Sequence, residues 1–314
     1  MKTVVTGAAG FVGSTLARRL LAEGHDVVGV DALTDYYDPR LKRENLRDIA
    51  HPRLQLVEAD LNAIDLAALL ADVEVVYHEA GQPGVRRSWG SDFDRYTQDN
   101  VCATQKLLEA ALRAPRLQRF VYASSSSVYG DALRYPTQES DLPQPLSPYG
   151  VTKLAAEHLC RLYAENYGLP TVSLRYFTVY GPRQRPDMAF TRFCAAVRDG
   201  TEISVFGSGE QVRDFTFVDD VVEANVRVAG AAVENGAVFN VAGGTSTTVN
   251  EVIELLGEIA GMAPKVRRSD AVPGDVLRTG GSTRAIATAT GWSPAVALPD
   301  GLEEQYRWAA AVLA

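Results

Sequence analysis

Apolar and polar positions alternate in blocks along the first 175 residues. Short β-branched or apolar runs fall at 3–6, 27–30, 54–57, 73–78, 120–124 and 171–175, each of strand length. Stretches with helical spacing lie between them, the longest at 11–23, 93–113 and 149–167. Strands separated by helices imply right-handed βαβ units. The pattern therefore predicts an α/β fold with a Rossmann-type, doubly wound parallel sheet. Past residue 175 the elements shorten, and glycines such as Gly243, Gly244, Gly280 and Gly281 punctuate loops. One domain is expected over 1–175 and a smaller C-terminal α/β lobe over 176–314. The alternation resumes at 217–229 and 238–241, so 217–242 is expected to return to the first domain.

The first strand runs straight into Gly7-Ala-Ala-Gly10-Phe-Val-Gly13. A strand that turns tightly into a helix leaves the helix's first N–H groups unpaired. Together with the positive end of the helix dipole they suit a pyrophosphate. Glycine is needed where cofactor and neighbouring strand approach the backbone most closely. The second strand ends on Asp31, about 20 residues on, where a carboxylate can accept from ribose hydroxyls. Asp31 would repel a 2′-phosphate, so NAD is expected rather than NADP, and 1–175 is read as the NAD-binding domain. Asp60, with Leu61, follows the third strand; it either flanks the adenine or is an ordinary helix-capping aspartate.

Composition narrows the partners. The chain has 314 residues, 46% of them hydrophobic and 22% charged, and a formal net charge of −8. This is a globular composition long enough for two lobes. An acidic chain is a poor partner for nucleic acid or an anionic membrane, so neither is expected. Any anionic substrate must find a local arginine cluster. The three cysteines, Cys102, Cys160 and Cys194, show no C-x-x-C pairing, and the four histidines no ligand spacing. No metal is expected. The first strand begins at residue 2 and no long apolar run follows, so a cytoplasmic location is expected.

Two further stretches carry chemistry. The fifth strand pattern ends in Ser124-Ser-Ser-Ser127-Val-Tyr-Gly130. Four adjacent hydroxyls pack poorly in a core and sit well at the ligand-binding edge of an open sheet. About 20 residues later come Tyr149 and Lys153, whose i, i+4 spacing on a helix brings phenol and ammonium to one face. A free phenol, with a pKa of about 10, is a poor base at neutral pH. A nearby ammonium and a cationic nicotinamide ring are expected to lower it, making Tyr149 a usable general base.

Joined in this order, these motifs resemble the extended short-chain dehydrogenase/reductases that act on nucleotide sugars, over nearly the whole chain. The resemblance implies that Ser125, Tyr149 and Lys153 are catalytic. It implies that Phe11, Val12, Ala80, Asn100 and Tyr176 help to hold NAD, with Tyr149 and Lys153. The stretches at 83–89, 146–153 and 175–190 are most similar to UDP-glucuronate 4-epimerases. The Asp-Glu pair of 4,6-dehydratases is replaced by Ser126 and Ser127. The glutamate that UDP-glucuronate decarboxylases carry before V-Y-G is Ser127 here. The Asn-Pro of UDP-glucose 4-epimerases is Thr178-Val179.

The expected substrate is thus UDP-glucuronic acid, with the lobe at 176–314 mainly UDP-sugar-binding. Arg86, Arg183, Arg185, Arg192, Arg213 and Arg278 punctuate that side of the acidic chain, and guanidinium groups bind phosphate and carboxylate through paired hydrogen bonds. Gln211 with Arg213, and Arg278 after Asp275, match the family's diphosphate and uridine contacts; Ala189 and Phe190 lie in a matching stretch. Phe206 either stacks on uracil or is a core phenylalanine. Arg185 either meets the glucuronate carboxylate or pairs with Asp187. Ser126, Ser127 and Thr178 offer neutral hydrogen bonds to the same carboxylate.

The implied activity is NAD-dependent 4-epimerisation to UDP-galacturonic acid through a 4-keto sugar, with Tyr149 as base. The enzyme alternatives are a UDP-glucose or UDP-N-acetylglucosamine 4-epimerase, or a UDP-glucuronate decarboxylase. Another class, a non-catalytic NAD-sensing module, is disfavoured by the intact Ser125, Tyr149 and Lys153. Relatives commonly pair two helices per subunit, implying a homodimer through 93–113 and 149–167.

Overall fold

Successive residues of a strand face opposite sides of a sheet, and in this chain both sides are apolar. The structure is a computed structural model describing residues 1–270 and 276–312. Seven strands form one parallel sheet: β1 (Lys2–Thr6), β2 (Asp26–Asp31), β3 (Leu54–Glu58), β4 (Val75–His78), β5 (Arg119–Ser125), β6 (Thr171–Tyr176) and β7 (Ala237–Val241). Their order is β7-β6-β5-β4-β1-β2-β3. Val4 faces one hydrophobic cluster and Val5 the other, as do Val28 and Val27, and Val76 and Val75. Burial on both faces is what a parallel sheet needs. The order reverses between β1 and β4, so the crevice outside their carboxyl ends is where a ligand is expected to bind.

Helix α1 (Phe11–Ala22) starts at that crevice. A Cβ on Gly13 would lie 2.1 Å from the Gly7 carbonyl oxygen, and Gly7 itself takes φ +69° with a would-be Cβ 2.9 Å from the Ala80 nitrogen. Side chains at these two positions would push the helix off the tips of β1 and β4. Helix α2 (Pro148–Tyr167) begins with Ser147 accepting from the Gly150 N–H at 3.1 Å and with Pro148 in its first turn. It ends at Gly168 in the left-handed region. Helix α3 (Val218–Gly230) packs beside α1 and leads into β7.

One element differs from expectation. A single helix predicted over 93–113 is instead Phe93–Tyr96, a π-helical turn at Thr97–Cys102, and Ala103–Ala111. The wider turn directs Asn100 inward: its amide accepts from the Gln82 N–H at 2.6 Å and donates to the Gln82 carbonyl and the Thr152 hydroxyl. The smaller lobe carries helices Ala189–Arg198, Val249–Ala260 and Leu298–Val312 and a parallel pair, Glu202–Phe206 with Lys265–Ser269. One apolar cluster runs from the α1 face of the sheet into this lobe, joining Leu16 and Val121 to Phe193, Leu256 and Trp292.

Two buried polar networks fix the sheet's ligand edge. In the first, the Ala80 N–H donates to the Thr6 hydroxyl, which meets His78 Nδ1 at 2.8 Å; His78 Nε2 meets the Thr104 hydroxyl, which donates to the Asn100 carbonyl. Because Thr104 spends its proton on Asn100, Nε2 is the protonated nitrogen and Nδ1 the acceptor. The second is an ion pair, Arg175 with Glu157 at 2.6 Å, both below 5% exposed. Glu157 also accepts from Ser124 at 2.6 Å, and Arg175 reaches Tyr129, which donates to Asn240. This ties α2 to β5, β6 and β7 directly behind the serine run.

Glu157→Gln leaves a buried guanidinium without its counter-charge. It is expected to lower unfolding free energy by about 3–5 kcal/mol, whereas Glu157→Leu with Arg175→Met should recover much of that. Urea unfolding of the three proteins tests this, and equal losses would contradict it. Burial holds the His78 imidazole at about 3, against about 6.5 when unfolded. Its stabilising contribution is complete above pH 6.5 and lost as pH falls toward 3. The stability gap between wild type and His78→Gln, about 1–3 kcal/mol at pH 7.5, should therefore shrink on acidification below about pH 6.5. A gap independent of pH would show that the ring is not held neutral.

Candidate active site

The crevice between β1 and β4 opens into a cleft that runs from the tips of β2 and β3 across to β6. Gly7, Gly10, Phe11, Val12 and Gly13 form its floor at the start of α1. Asp31 stands at the tip of β2, its carboxylate accepting from the Ala9 N–H at 3.0 Å and the Leu33 N–H at 2.8 Å. Those bonds fix its orientation and leave acceptor capacity on both oxygens. Asp60 is exposed and accepts from the Asn62 N–H at 2.8 Å, so it caps a turn and also lines the cleft; Leu61 beside it is buried. Ala80 and Tyr176 line the wall opposite. Asn100 lies one layer behind, holding the 81–82 loop to α2.

At the β5 end the cleft meets Ser125, Tyr149 and Lys153. Ser125 ends β5, and its hydroxyl oxygen accepts from the Ser127 N–H at 3.1 Å, so its proton is directed elsewhere. Lys153 is 6% exposed; its ammonium donates to the Ala123 carbonyl at 2.8 Å and lies over the Tyr122 ring. Burial lowers its pKa to about 8, with Glu79 opposing the fall.

The Tyr149 phenol lies at this end of the cleft. Burial pushes the phenol above its ordinary value, and the Ser125 hydroxyl and the Arg185 guanidinium oppose that rise. The Lys153 ammonium, on the same wall, is anchored to the strand carbonyl of Ala123. Ser125 and Arg185 thus both favour the charged form of the phenol.

Ser126, Ser127, Thr178 and Arg185 complete this end of the cleft. Arg185 forms a bidentate pair with Asp187 at 2.9 and 2.8 Å and lies over the Tyr36 ring. It thus makes the local pair and faces the cleft as well. A second cluster lies on the smaller lobe. The Arg86 guanidinium sits 4.2 Å from the centre of the Phe206 ring, and Gln211 donates to the Phe206 carbonyl at 2.8 Å. The short strand Val212–Arg213 runs beside 277–279, bringing Arg213 and Arg278 together around Tyr135. The loop after β4 joins the two regions: Pro83 and Val85 line the cleft, and Arg86 reaches Phe206.

The residues singled out at 183–192 lie in different environments. The Phe190 side chain is core, 3% exposed and 4.6 Å from the Phe215 ring centre, so no face of it is open to a ligand. Ala189 opens its helix at the surface, Arg192 is exposed, and Arg183 pairs with Asp48 at 3.1 Å on another face. Asp275 lies outside the described residues. Sequence reasoning missed Lys42, Tyr36 and Glu79, which all line the cleft. Lys42 is 7% exposed, donates to Thr34 at 3.0 Å and stands near Asp31. Glu79 carried a legible signal, an acid directly after an apolar strand at the sheet's ligand edge. Among the described residues no cluster of metal-ligating side chains occurs, and no helix is long and apolar enough to cross a membrane.

The glycine floor, the oriented Asp31 and the positive end of α1 fit a dinucleotide with a pyrophosphate and a free ribose. The comparisons with known proteins agree. Residues 3–242 match the NAD dependent epimerase/dehydratase family. The crystal structure of UDP-glucuronic acid 4-epimerase from Bacillus cereus in complex with UDP-glucuronic acid and NAD is 42% identical, with TM-score 0.96 over 99% of this chain and 100% of that one. The UDP-glucose 4-epimerase of Mycolicibacterium smegmatis is 38% identical over 96% of each chain. The probable UDP-glucuronate 4-epimerase of Rhizobium meliloti is 34% identical over 98% of this chain and 96% of its own. By sequence, by fold and by the geometry of its cleft, the chain belongs to the NAD dependent epimerase/dehydratase family.

Proposed function

We propose that this enzyme interconverts UDP-glucuronic acid and UDP-galacturonic acid by inversion at C4. The observation that carries this reading is Arg185: a guanidinium in the wall of the cleft, close enough to Tyr149 to act on its phenol, with Ser126, Ser127 and Thr178 lining the same cleft. A neutral sugar needs no cation there. A carboxylate at C5 does, and the arginine fork matches it. Identity alone does not choose, since a UDP-glucose 4-epimerase and a UDP-glucuronate 4-epimerase are both relatives at 34–38%.

In this reading Tyr149 takes the proton of the sugar 4-hydroxyl, and Ser125 holds that oxygen through the proton it does not spend on Ser127. NAD, when bound, supplies the reversible hydrogen acceptor for C4, so no net oxidation occurs. Gly7, Gly10, Phe11, Val12, Gly13, Asp31, Asp60, Leu61, Ala80, Tyr176 and Lys153 would hold it, with Asn100 bracing the wall. Arg86, Phe206, Gln211, Arg213 and Arg278 would hold the uridine diphosphate. The 4-keto sugar must rotate before it is reduced from its other face. A 4-keto-5-carboxylate is a β-keto acid prone to losing CO₂. Ser126, Ser127 and Thr178 offer only neutral bonds, and with Arg185 they keep the carboxylate from aligning with the ketone. We place the enzyme in the cytoplasm and, on family resemblance, as a homodimer.

Purified protein given UDP-glucuronic acid without added NAD should yield a same-mass UDP-galacturonic acid peak on mass-resolved chromatography. Loss of CO₂ would instead make it a decarboxylase. Conversion of UDP-glucose alone would make it a neutral-sugar epimerase. Tyr149→Phe should abolish turnover while bound nucleotide persists, a result a non-catalytic module cannot give. Ser127→Glu should raise the share of UDP-pentose among the products several-fold. An unchanged share would remove the serine from the account.

A further inference from the structure

Glu79 is a cleft residue that the proposed reaction does not use. It follows β4 directly, at the point where strand order reverses, and lines the same wall as Lys153, Tyr149 and Ser125. Its carboxylate accepts from the Tyr176 hydroxyl at 2.8 Å, and that hydroxyl accepts from the Asn225 amide at 2.7 Å. Residues of β6 and α3 thus hold it in one orientation. A glutamine would accept from Tyr176 equally well, so the hydrogen bond gives no reason for a charge. Burying a carboxylate here is unfavourable unless a cation faces it. Lys153 is one such cation. Of the other acids lining the cleft, Asp31 and Asp60 stand beyond β1, and Asp99 pairs with Arg95 at 2.7 Å.

We propose that Glu79 supplies the counter-charge for the nicotinamide end of the cleft and biases bound cofactor toward its oxidised, cationic form. The proposal rests on the epimerase reading above. Oxidation of the sugar moves a hydride from C4 to the nicotinamide ring and the hydroxyl proton to Tyr149, so the ring loses its positive charge. The return step restores both. A fixed carboxylate near the ring stabilises the state before oxidation relative to the state after it, and so limits the time the enzyme holds reduced cofactor and a ketone that can escape. Burial raises the Glu79 pKa to about 7, and both Tyr176 and Lys153 oppose the rise. The counter-charge is therefore present above that pH and fades below it. Lys153 and Tyr176 are the charged and titratable groups that act on it, and Lys153 titrates higher, at about 8.

The test is the reduced fraction of bound cofactor, read by absorbance at 340 nm in protein holding UDP-glucuronic acid at steady state between pH 6 and 8.5. In wild type the reduced fraction should fall as pH rises through about 7. Glu79→Gln should keep its nucleotide, show a reduced fraction at least three-fold higher at pH 8, and lose the step near pH 7. Tyr176→Phe, which removes a bond that stabilises the carboxylate, should keep the step and move it upward. A wild-type profile flat through pH 7, or a Glu79→Gln profile superimposing on wild type, overturns the proposal. Should Glu79→Gln lose its nucleotide, the wild-type and Tyr176→Phe profiles still decide. Failure of the epimerase reading is distinct, because wild type in the same samples would then carry no nucleotide or form no epimer.

Discussion

The architecture depends on how closely α1 lies over β1 and β4. With a would-be Cβ of Gly13 2.1 Å from the Gly7 carbonyl, no other residue fits there without moving the helix. That contact sets the floor of the crevice and directs the first N–H groups of α1 at whatever anion lies across it. It also presses the turn after β1 against the turn after β4, where the Cβ position of Gly7 meets the Ala80 nitrogen. Everything placed by the second turn, from Glu79 to the loop carrying Arg86, is therefore positioned relative to the glycine floor. The hydrogen-bond chain from Ala80 through Thr6, His78 and Thr104 to Asn100 holds the same turn from its other side. A neutral imidazole suits that task because it donates on one nitrogen and accepts on the other.

Burial, rather than any one ion pair, dominates the electrostatics of the cleft. It raises the Tyr149 phenol, raises Glu79 to about 7 and lowers Lys153 to about 8. Each shift favours the neutral form, which is the expected response of ionisable groups in a poorly solvated site. A small change in local charge then moves protons among them near neutral pH. The deeper pair of Arg175 and Glu157 is different in kind, being bidentate, closed off and linked to Ser124. It fixes the serine run that ends β5, while the groups facing the cleft remain free to titrate.

The parts of the fold legible in the sequence are those set by short-range pattern. Short continuous apolar runs, glycines at fixed spacing and a carboxylate at a strand tip are local signals, and the strands lie where those signals fall. The i, i+4 spacing of Tyr149 and Lys153 likewise brings both onto one wall of the cleft. What the pattern missed depends on partners distant in sequence. The π-turn at Thr97–Cys102 leaves helical periodicity almost intact and is tied down by Asn100 bonding to Gln82 and Thr152. The hydrogen bond from Lys153 to the Ala123 carbonyl joins α2 to β5, a contact that spacing along one helix does not reveal. The Phe190 side chain is core because the Tyr180 and Phe215 rings pack against it, contacts between elements far apart in sequence.

The pair Arg185 makes with Asp187 does not by itself exclude a second carboxylate partner. Asp187 occupies the Nε edge of its guanidinium, through Nε and one terminal nitrogen. A guanidinium carries five N–H donors, so the pair with Asp187 leaves the opposite edge able to receive a second carboxylate in the plane of the fork. In the proposed function Asp187 would not compete with a substrate: by holding the arginine on one edge it would set where a second carboxylate could lie. The ring of Tyr36 covers one face of the same fork, and the Arg87 guanidinium lies over that ring too. An arginine held on one edge and one face can discriminate geometry as well as charge. Loss of CO₂ from a β-keto acid depends on the angle between the carboxylate bond and the ketone, and a fixed fork governs that angle more firmly than a mobile cation would.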